Sequence, residues 1–222
     1  MDLLRYAHEA AYCERLLAKS GLSVLTATLP ASAAPSHWTH YPEGDVHDPD
    51  TGAHWYYHSH GKPLRASTGV GDTAAAAGAP AAIAREHGSL PGEEGVFPGE
   101  HGHFHCFVCP SGKGGPIHHL VALSVNNLGQ LLGFFTVGRH VVNDVDIPAP
   151  ERVALIERFD VQLARPDYLV NRWLTAVVAL FQNEIGGLIH RGSQQAMFDP
   201  RLDVTASLQT TLAEKMQELS PS

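Results

Sequence analysis

Three histidines alternate with other residues in the segment from Glu100 to Cys106, Glu-His-Gly-His-Phe-His-Cys. In a β-strand, alternate side chains point to the same face, so His101, His103 and His105 would form one row of imidazoles. Neutral imidazole is the commonest nitrogen ligand for Zn, Fe, Cu and Ni. The spacing therefore predicts a metal site, and Glu100 beside the row is a candidate ligand or general base.

The segment from His54 to His60 repeats this alternation. Its aromatic residues favour a strand, and one face would carry His54, Tyr56, His58 and His60. If the two strands pair or face each other, the two sets of histidines meet in a pocket of four or five imidazoles. Within such a pocket, Tyr56 could orient a substrate.

The metal ligands predicted from the two strands form a first group and a reserve. The first group consists of His58, His60, His103 and His105. The reserve consists of His101, which belongs to the same row as His103, and His119, which begins a predicted hairpin. A two-histidine, one-carboxylate iron site would also need one of Glu100, Asp45 or Asp48.

A metal held in this way supports several kinds of chemistry. Iron or zinc is the expected ion, copper is a further candidate, and haem held by histidine and aromatic residues is an alternative. With an open coordination position, the metal can polarise a substrate or activate water or O₂. The favoured prediction is a metal-dependent enzyme, with oxygenase, hydrolase and lyase reactions left open.

Three other interpretations of the histidine pattern remain open. The protein could be a non-catalytic metal or haem carrier or sensor. It could be a structural or partner-binding protein, or the histidines could be semi-exposed residues on a polar face of the sheet.

Two resemblances accompany these motifs. The pair His103-Phe104-His105 after Pro98-Gly99 resembles the first metal motif of the cupin barrels, whose members support oxygenase, isomerase and lyase chemistry on Fe, Mn, Zn or Ni. The sequence departs from that motif because no Glu follows His105 by three or four positions. The two histidine strands, with the His- and Asp-rich segment before them, also resemble an uncharacterised family of bacterial proteins, which implies no known activity.

Cysteine is sparse, with three residues in the chain, so a disulfide framework is not expected. Cys106 and Cys109 form a single Cys-x-x-Cys. A zinc ribbon would need a second such pair. Semi-buried thiols are the favoured interpretation, while metal ligands and a redox or haem-related role remain alternatives.

The elements that position these residues predict an α+β protein. A small antiparallel sheet or partial barrel, within residues 37–140, would carry the histidine strands. An N-terminal helix over 1–21 and a helical segment over 150–219 would pack with it. A mobile insertion spans about 61–99, with a short helix from Ala81 to His87.

Several local predictions complete this fold. Asp2 to Lys19 has the apolar spacing of a helix, and Leu22 to Leu29 is predicted as a strand or extended segment. Residues 37–52 are expected to form an ordered loop over the site, with a turn at Asp48-Pro49-Asp50-Thr51-Gly52. Residues 110–116 are predicted as a turn, and residues 120–137 as a β-hairpin around an Asn/Gly loop.

The C-terminal part is predicted as three helices. The first begins after Pro150, and the second is capped by Asp167 and runs to about Arg191, with Gly192 as its end. Ser207 to Leu219 is predicted as the last amphipathic helix. The wide apolar face of the second helix is a candidate surface for homo-oligomer formation.

Composition limits the classes of partner. The 222 residues are enough for one hydrophobic core, and we expect a single domain over 1–222. The formal net charge of -8, without a Lys/Arg cluster, argues against nucleic-acid binding. No apolar run approaches the roughly 18 residues of a membrane span, and no secretory signal is recognisable, so the cytoplasm is the expected location. The expected partner is a small-molecule substrate.

Overall fold

A six-stranded antiparallel sheet and seven α-helices form an α+β fold in the part of the chain that the computed structural model describes, residues 2–30, 39–60 and 95–220. This confirms the predicted fold class, with an open sheet rather than a partial barrel. The strands are neighbours in chain order: β1 (His40–His47), β2 (Ala53–Ser59), β3 (Glu100–Val108), β4 (His118–Asn126), β5 (Leu131–Val137) and β6 (Val204–Gln209). Most of the predicted 61–99 insertion, including the helix from Ala81 to His87, lies outside the described residues.

The helices precede, follow and interrupt the sheet. They are α1 (Leu3–Lys19), α2 (Val24–Thr28), α3 (Arg139–Val142), α4 (Ala149–Ala154), α5 (Tyr168–Leu180), α6 (Gln182–Phe198) and α7 (Leu212–Glu218), with a 3₁₀ turn at Ile156–Arg158. None of the helices in the described ranges is long and apolar enough to cross a membrane.

The main hydrophobic core lies between the helices and one face of the sheet. Trp55 and Phe104 from the sheet and Trp173 from α5 are fully buried there. The indole Nε1 of Trp55 donates to Asn171 Oδ1 at 3.0 Å, while the Asn171 amide donates to two backbone carbonyls. Each buried aromatic side chain contributes roughly 1.5–3 kcal/mol through removal from water. This packing fixes β2 and β3 from one side and leaves their other face for the histidines.

Helix α1 follows the sequence prediction closely. The Asp2 carboxylate caps it by accepting from the backbone N–H of Arg5, and Gly21 follows its end with a φ of 71°. The Trp173 indole donates to Glu14 Oε1 at 3.0 Å and so joins α5 to α1. The predicted β4–β5 hairpin and the turn around Asp48 to Gly52 are confirmed as well.

The segment from Leu22 to Leu29 contains helix α2 (Val24–Thr28) rather than the predicted strand or extended segment. Ser23 and Thr26 form a reciprocal capping box at the start of α2. Val24 and Leu25 then enter the helix-packed core. Capping and core contacts override the strand preference of the Val/Leu/Thr run.

The prediction of one long helix ending at Gly192 was also wrong. The helix is interrupted at Phe181, which separates α5 from α6, and α6 continues past Gly192 to Phe198. A Cβ at Gly192 would lie 2.6 Å from Thr136 Oγ1 and 2.7 Å from Thr205 Oγ1. Gly192 therefore permits close packing of α6 against the sheet and does not end the helix.

The last predicted helix, Ser207 to Leu219, is partly a strand. Residues Val204–Gln209 form β6 and pair with β5, and only Leu212–Glu218 is helical. The edge of β5 has backbone N–H and C=O groups that a neighbouring strand can pair with. The helical spacing of apolar residues in the sequence carries no information about this pairing.

The segment predicted as a loop over the site, residues 37–52, contains strand β1. Its described part pairs His40 with His58 and His47 with His54, with a register irregularity between Tyr41 and Val46. Asp45 lies within that irregularity at a φ of 56°. His40 and His47 of this segment are therefore on the sheet itself, and its residues 37 and 38 lie outside the described residues.

Candidate metal centre

The two histidine strands are adjacent in the sheet. Strands β2 and β3 pair antiparallel, with His58 opposite His103 and Tyr56 opposite His105. Directly opposed side chains lie on the same face at close range. The sheet therefore brings together the two alternating patterns seen in the sequence.

Three imidazoles converge at this point: His58, His103 and His105, which we call the tri-histidine cluster. One ligand nitrogen from each lies within 4.8 Å of the others. The ring centroids are 5.1 Å apart for His58 and His103, 4.6 Å for His103 and His105, and 6.5 Å for His58 and His105. Small side-chain adjustments would let the three nitrogens bind one ion.

The predicted row of His101, His103 and His105 does not form. The register of β3 against β4 shifts between Glu100 and Gly102, which is a β-bulge. His101 consequently lies on the side of Tyr57, whose hydroxyl oxygen is 2.7 Å from His101 Nδ1. Glu100 takes the place next to His103 that His101 was expected to fill.

The side chain of Glu100 is fully buried and accepts four hydrogen bonds. Oε1 accepts from His103 Nδ1 at 2.7 Å and His60 Nε2 at 3.1 Å, and Oε2 accepts from Phe97 N–H and the Ser124 hydroxyl, both at 3.1 Å. Burial opposes ionisation, but the hydrogen bonds from His103 and His60 outweigh it and lower the pKa of Glu100 to about 2. The carboxylate is therefore ionised and holds the proton on Nδ1 of His103. Nε2 is then the nitrogen of His103 that can bind a metal.

His119 supports His105 in a similar way. His119 Nε2 lies 3.1 Å from His105 Nδ1. Burial and the charge of Arg152 lower the pKa of His119 to about 3, so its imidazole is neutral and can accept the Nδ1 proton of His105. In this arrangement His119 orients the ring of His105, and His105 Nε2 would be available to an ion.

Two imidazoles of the cluster, those of His103 and His105, are held in their neutral form. Burial lowers the pKa of His103 although its hydrogen bond to Glu100 opposes the shift. Burial also lowers the pKa of His105 well below its ordinary value, and the neighbouring histidines add to this effect. Neutral imidazoles are the form that binds metals, since protonation removes the donor lone pair.

His60 belongs to a second, overlapping donor group. His60, Glu100 and His103 also offer ligand atoms within 4.8 Å of one another. The ring of His60 lies 5.2 Å from that of His103 and 5.7 Å from that of His58. His60 is thus close enough to the tri-histidine cluster to act as a fourth imidazole.

A cavity of about 400 Å³ opens onto the cluster. Besides the cluster and His60, its lining includes His40, Tyr56, Val96, Phe135, Val137, His140, Val141, Asp203 and Val204. The ring of Tyr56 stacks on that of His40 at 3.7 Å, and burial raises the pKa of its hydroxyl, which keeps it protonated as a donor. The cavity has both apolar walls and polar groups, as small-molecule sites do.

Sequence reasoning missed most of this lining. Val204 and Asp203 come from a region predicted to precede a helix, and His40 from a predicted loop. Phe135 was recognisable as part of a strand, but its face could be assigned only from the register of β5 against β4.

Asp45 and Asp48 have other roles than those proposed from the sequence. Among the described residues, neither joins the tri-histidine cluster. Asp48 stabilises its turn by accepting from backbone N–H groups, including that of Gln162 at 2.9 Å. Asp45 accepts from His40 Nδ1 at 3.0 Å and from His54 Nε2 at 3.3 Å.

The chain is thus an α+β protein with an open antiparallel sheet. Its histidine clusters, next to a cavity, include groups that could hold a metal ion. The chain belongs to the family described as Domain of unknown function (DUF6969), whose model matches residues 4–73 and 92–215. Membership of an uncharacterised family agrees with the resemblance noted in the sequence. No curated protein and no solved structure gives a significant match.

Proposed function

We propose that this protein is a metal-dependent enzyme that acts on a small molecule, with a transition metal bound by His58, His103 and His105. The observation that carries the proposal is the convergence of three imidazoles, two of them buried, beside a cavity of about 400 Å³. Three histidines and one open position are a donor set of catalytic zinc sites. Iron is the alternative ion, since imidazole suits both metals.

The surrounding residues prepare the cluster for this role. Glu100 and His119 fix the orientation of two ligands and leave Nε2 of each for the ion. Tyr56 supplies a protonated hydroxyl in the cavity wall that can donate to a bound substrate. The metal would polarise that substrate or activate water or O₂. Oxygenase, hydrolase and lyase chemistry all remain open for such a site.

A non-catalytic metal carrier or sensor is the second candidate. It is favoured by the position of His60, whose ring lies close to two members of the cluster. If His60 closes the coordination sphere as a fourth imidazole, no position remains for substrate. The two candidates therefore differ in whether the bound ion is accessible.

Metal analysis of protein purified without a histidine tag tests the proposal. We expect at least about one ion per chain after reconstitution with Zn²⁺ or Fe²⁺, and loss of about one ion in His105→Ala. His190→Ala is the matched control, because His190 is exposed on α6. Circular dichroism would establish that each variant is folded. Full metal content in folded His105→Ala would overturn the proposal.

Cobalt substitution separates an enzyme from a carrier. An accessible Co²⁺ ion in the tri-histidine cluster should give the wild type an azide-dependent spectral change that His105→Ala lacks, because azide takes the open position of that site. An azide response that is the same in both proteins, with cobalt bound to the cluster of the wild type, would support the four-imidazole carrier. A Soret band in the purified protein would instead indicate haem.

A further inference from the structure

We propose that His47, His54 and Cys109 form a second metal site, suited to zinc, on the same sheet. Their ligand atoms lie within 4.8 Å of one another. His54 and His58 are four positions apart on β2, which corresponds to about 13 Å along a strand. The His-His-Cys cluster is therefore separate from the tri-histidine cluster and would bind its own ion.

The backbone fixes the relative positions of all three residues. His47 and His54 are direct partners in the β1–β2 pairing. Cys109 follows the end of β3, and its N–H donates to the Gly52 carbonyl at 2.7 Å. Gly52 has a φ of 77°, and a Cβ there would lie 2.4 Å from the Cys109 carbonyl oxygen, so this close approach requires glycine. Two strands and a tight turn thus hold the cluster.

His47 provides an independent indication of a ligand. Both of its ring nitrogens are buried, and neither has a hydrogen-bond partner among the described residues. A buried polar group without a partner costs about 1–3 kcal/mol and calls for an explanation. An ion bound to one of these nitrogens would supply the missing interaction.

Asp45 orients the second imidazole. Asp45 Oδ2 lies 3.3 Å from His54 Nε2, which leaves Nδ1 of His54 for an ion. Asp45 occupies the left-handed region at a φ of 56°, where non-glycine residues are uncommon. A carboxylate that holds the distal nitrogen of a histidine is the usual support of a metal ligand.

The donor set determines the class of ion. Two imidazoles and one thiolate suit zinc, which prefers nitrogen and sulfur ligands in a tetrahedral arrangement. Cys109 would bind as a thiolate, and its proton would be released to solvent. An open cleft beside the cluster, lined in part by His47 and Lys113, gives an ion a route and solvent a place as fourth ligand.

The chain supplies a matched control thiol. Cys106 lies in the same Cys-x-x-Cys but is fully buried in the helix-packed core. Both cysteines are free. The second site therefore uses one cysteine of the pair and leaves the other in the hydrophobic core.

Cobalt titration of the full chain tests this second site. Thiolate bound to Co²⁺ gives a charge-transfer band in the near ultraviolet, which an all-imidazole site cannot produce. We expect this band in the wild type, in Cys106→Ser and in His105→Ala, and its loss in Cys109→Ser. Zn²⁺ should displace the cobalt, and Cys109→Ser should weaken zinc binding at this site by more than about 100-fold, beyond the effect typical of a supporting residue.

A wild-type protein without the thiolate band would overturn the proposal, as would a band that survives in Cys109→Ser. If Cys109→Ser fails to fold, alkylation of the wild type provides the measurement. Zn²⁺ should then slow alkylation of Cys109 relative to metal-free protein, and an unchanged rate would refute the site. Failure of the tri-histidine site would leave the thiolate band intact, so the two proposals are tested separately.

Discussion

Replacing Glu100 by Gln keeps the size of the side chain but exchanges one acceptor oxygen for an NH₂ donor. The N–H of Phe97 must donate, so the amide oxygen is expected to face it and the Ser124 hydroxyl. The NH₂ group then faces His103, whose Nδ1 must accept a hydrogen bond instead of donating one. His103 would consequently carry its proton on Nε2, the nitrogen proposed to bind the metal.

The expected loss of stability in Glu100→Gln follows from the electrostatics of the buried carboxylate. Its pKa falls from the ordinary value of 4.5 to about 2. At 1.36 kcal/mol per pH unit, this corresponds to about 3 kcal/mol of stability at neutral pH. A depressed carboxylate pKa stabilises the fold above the unfolded-state pKa, and this stabilisation is lost as the pH falls from about 4.5 towards 2. Metal affinity should fall by about 10–100-fold because the ligand loses its orienting partner.

Urea unfolding of the metal-free protein at neutral pH and at pH values below 4 measures the change in stability. Zinc titration measures the change in metal affinity. Ser124→Ala is the control, since it removes one donor to Glu100 without touching His103 and should cost only about 1 kcal/mol. Glu100→Gln with wild-type stability and wild-type zinc affinity would refute the assignment of Glu100 as the group that orients His103.

Two further predictions concern the framework of the site. Gly192→Ala should lower the free energy of unfolding by about 1–3 kcal/mol, because its methyl group would meet two threonine hydroxyls at 2.6 and 2.7 Å. Gly187→Ala is the control and should raise the free energy of unfolding by up to about 1 kcal/mol, because only the end of a flexible side chain lies near, at 3.3 Å. Equal effects of the two substitutions in urea unfolding would contradict the close packing at Gly192. Glu14→Gln should stabilise the protein at neutral pH, because burial raises the pKa of Glu14 and its ionisation therefore costs stability as the pH rises, while the amide oxygen still accepts from Trp173. This gain should disappear below about pH 4, where the unfolded-state carboxyl is also protonated, and a gain that persists there would contradict the cause.

The pairing of the histidine strands was within reach of the sequence because strand alternation has a period of two. The bulge at Glu100 to Gly102 was not, since one extra residue reverses the face of every side chain before it. A signal was present, because an isolated glycine inside a strand often marks a bulge. Recognising Gly102 in this way would have moved His101 to the opposite face and brought Glu100 into the row.

The errors in the helical regions share a physical cause. Short apolar runs such as Leu22 to Leu29 fit both a strand and a buried helix, and tertiary contacts decide between them. Glycine is the residue type that often ends a helix, but the role of Gly192 depends on Thr136 and Thr205, which are distant in sequence. Residue spacing gives the periodicity of an element, whereas the close approach of two elements depends on the whole fold.

Burial argues against one interpretation that the sequence left open, that of semi-exposed histidines on a polar face of the sheet. Histidines on a solvated polar face would remain hydrated, yet His103 and His105 are only 5% and 3% exposed. Burying polar rings in this way is unfavourable unless each acquires a partner. The chain provides these partners at specific nitrogens, with the Glu100 carboxylate at His103 and the His119 ring at His105. In both histidines the supported nitrogen is Nδ1, so both Nε2 atoms remain as possible metal ligands in residues that line the same cavity, an arrangement that a solvated polar surface does not require.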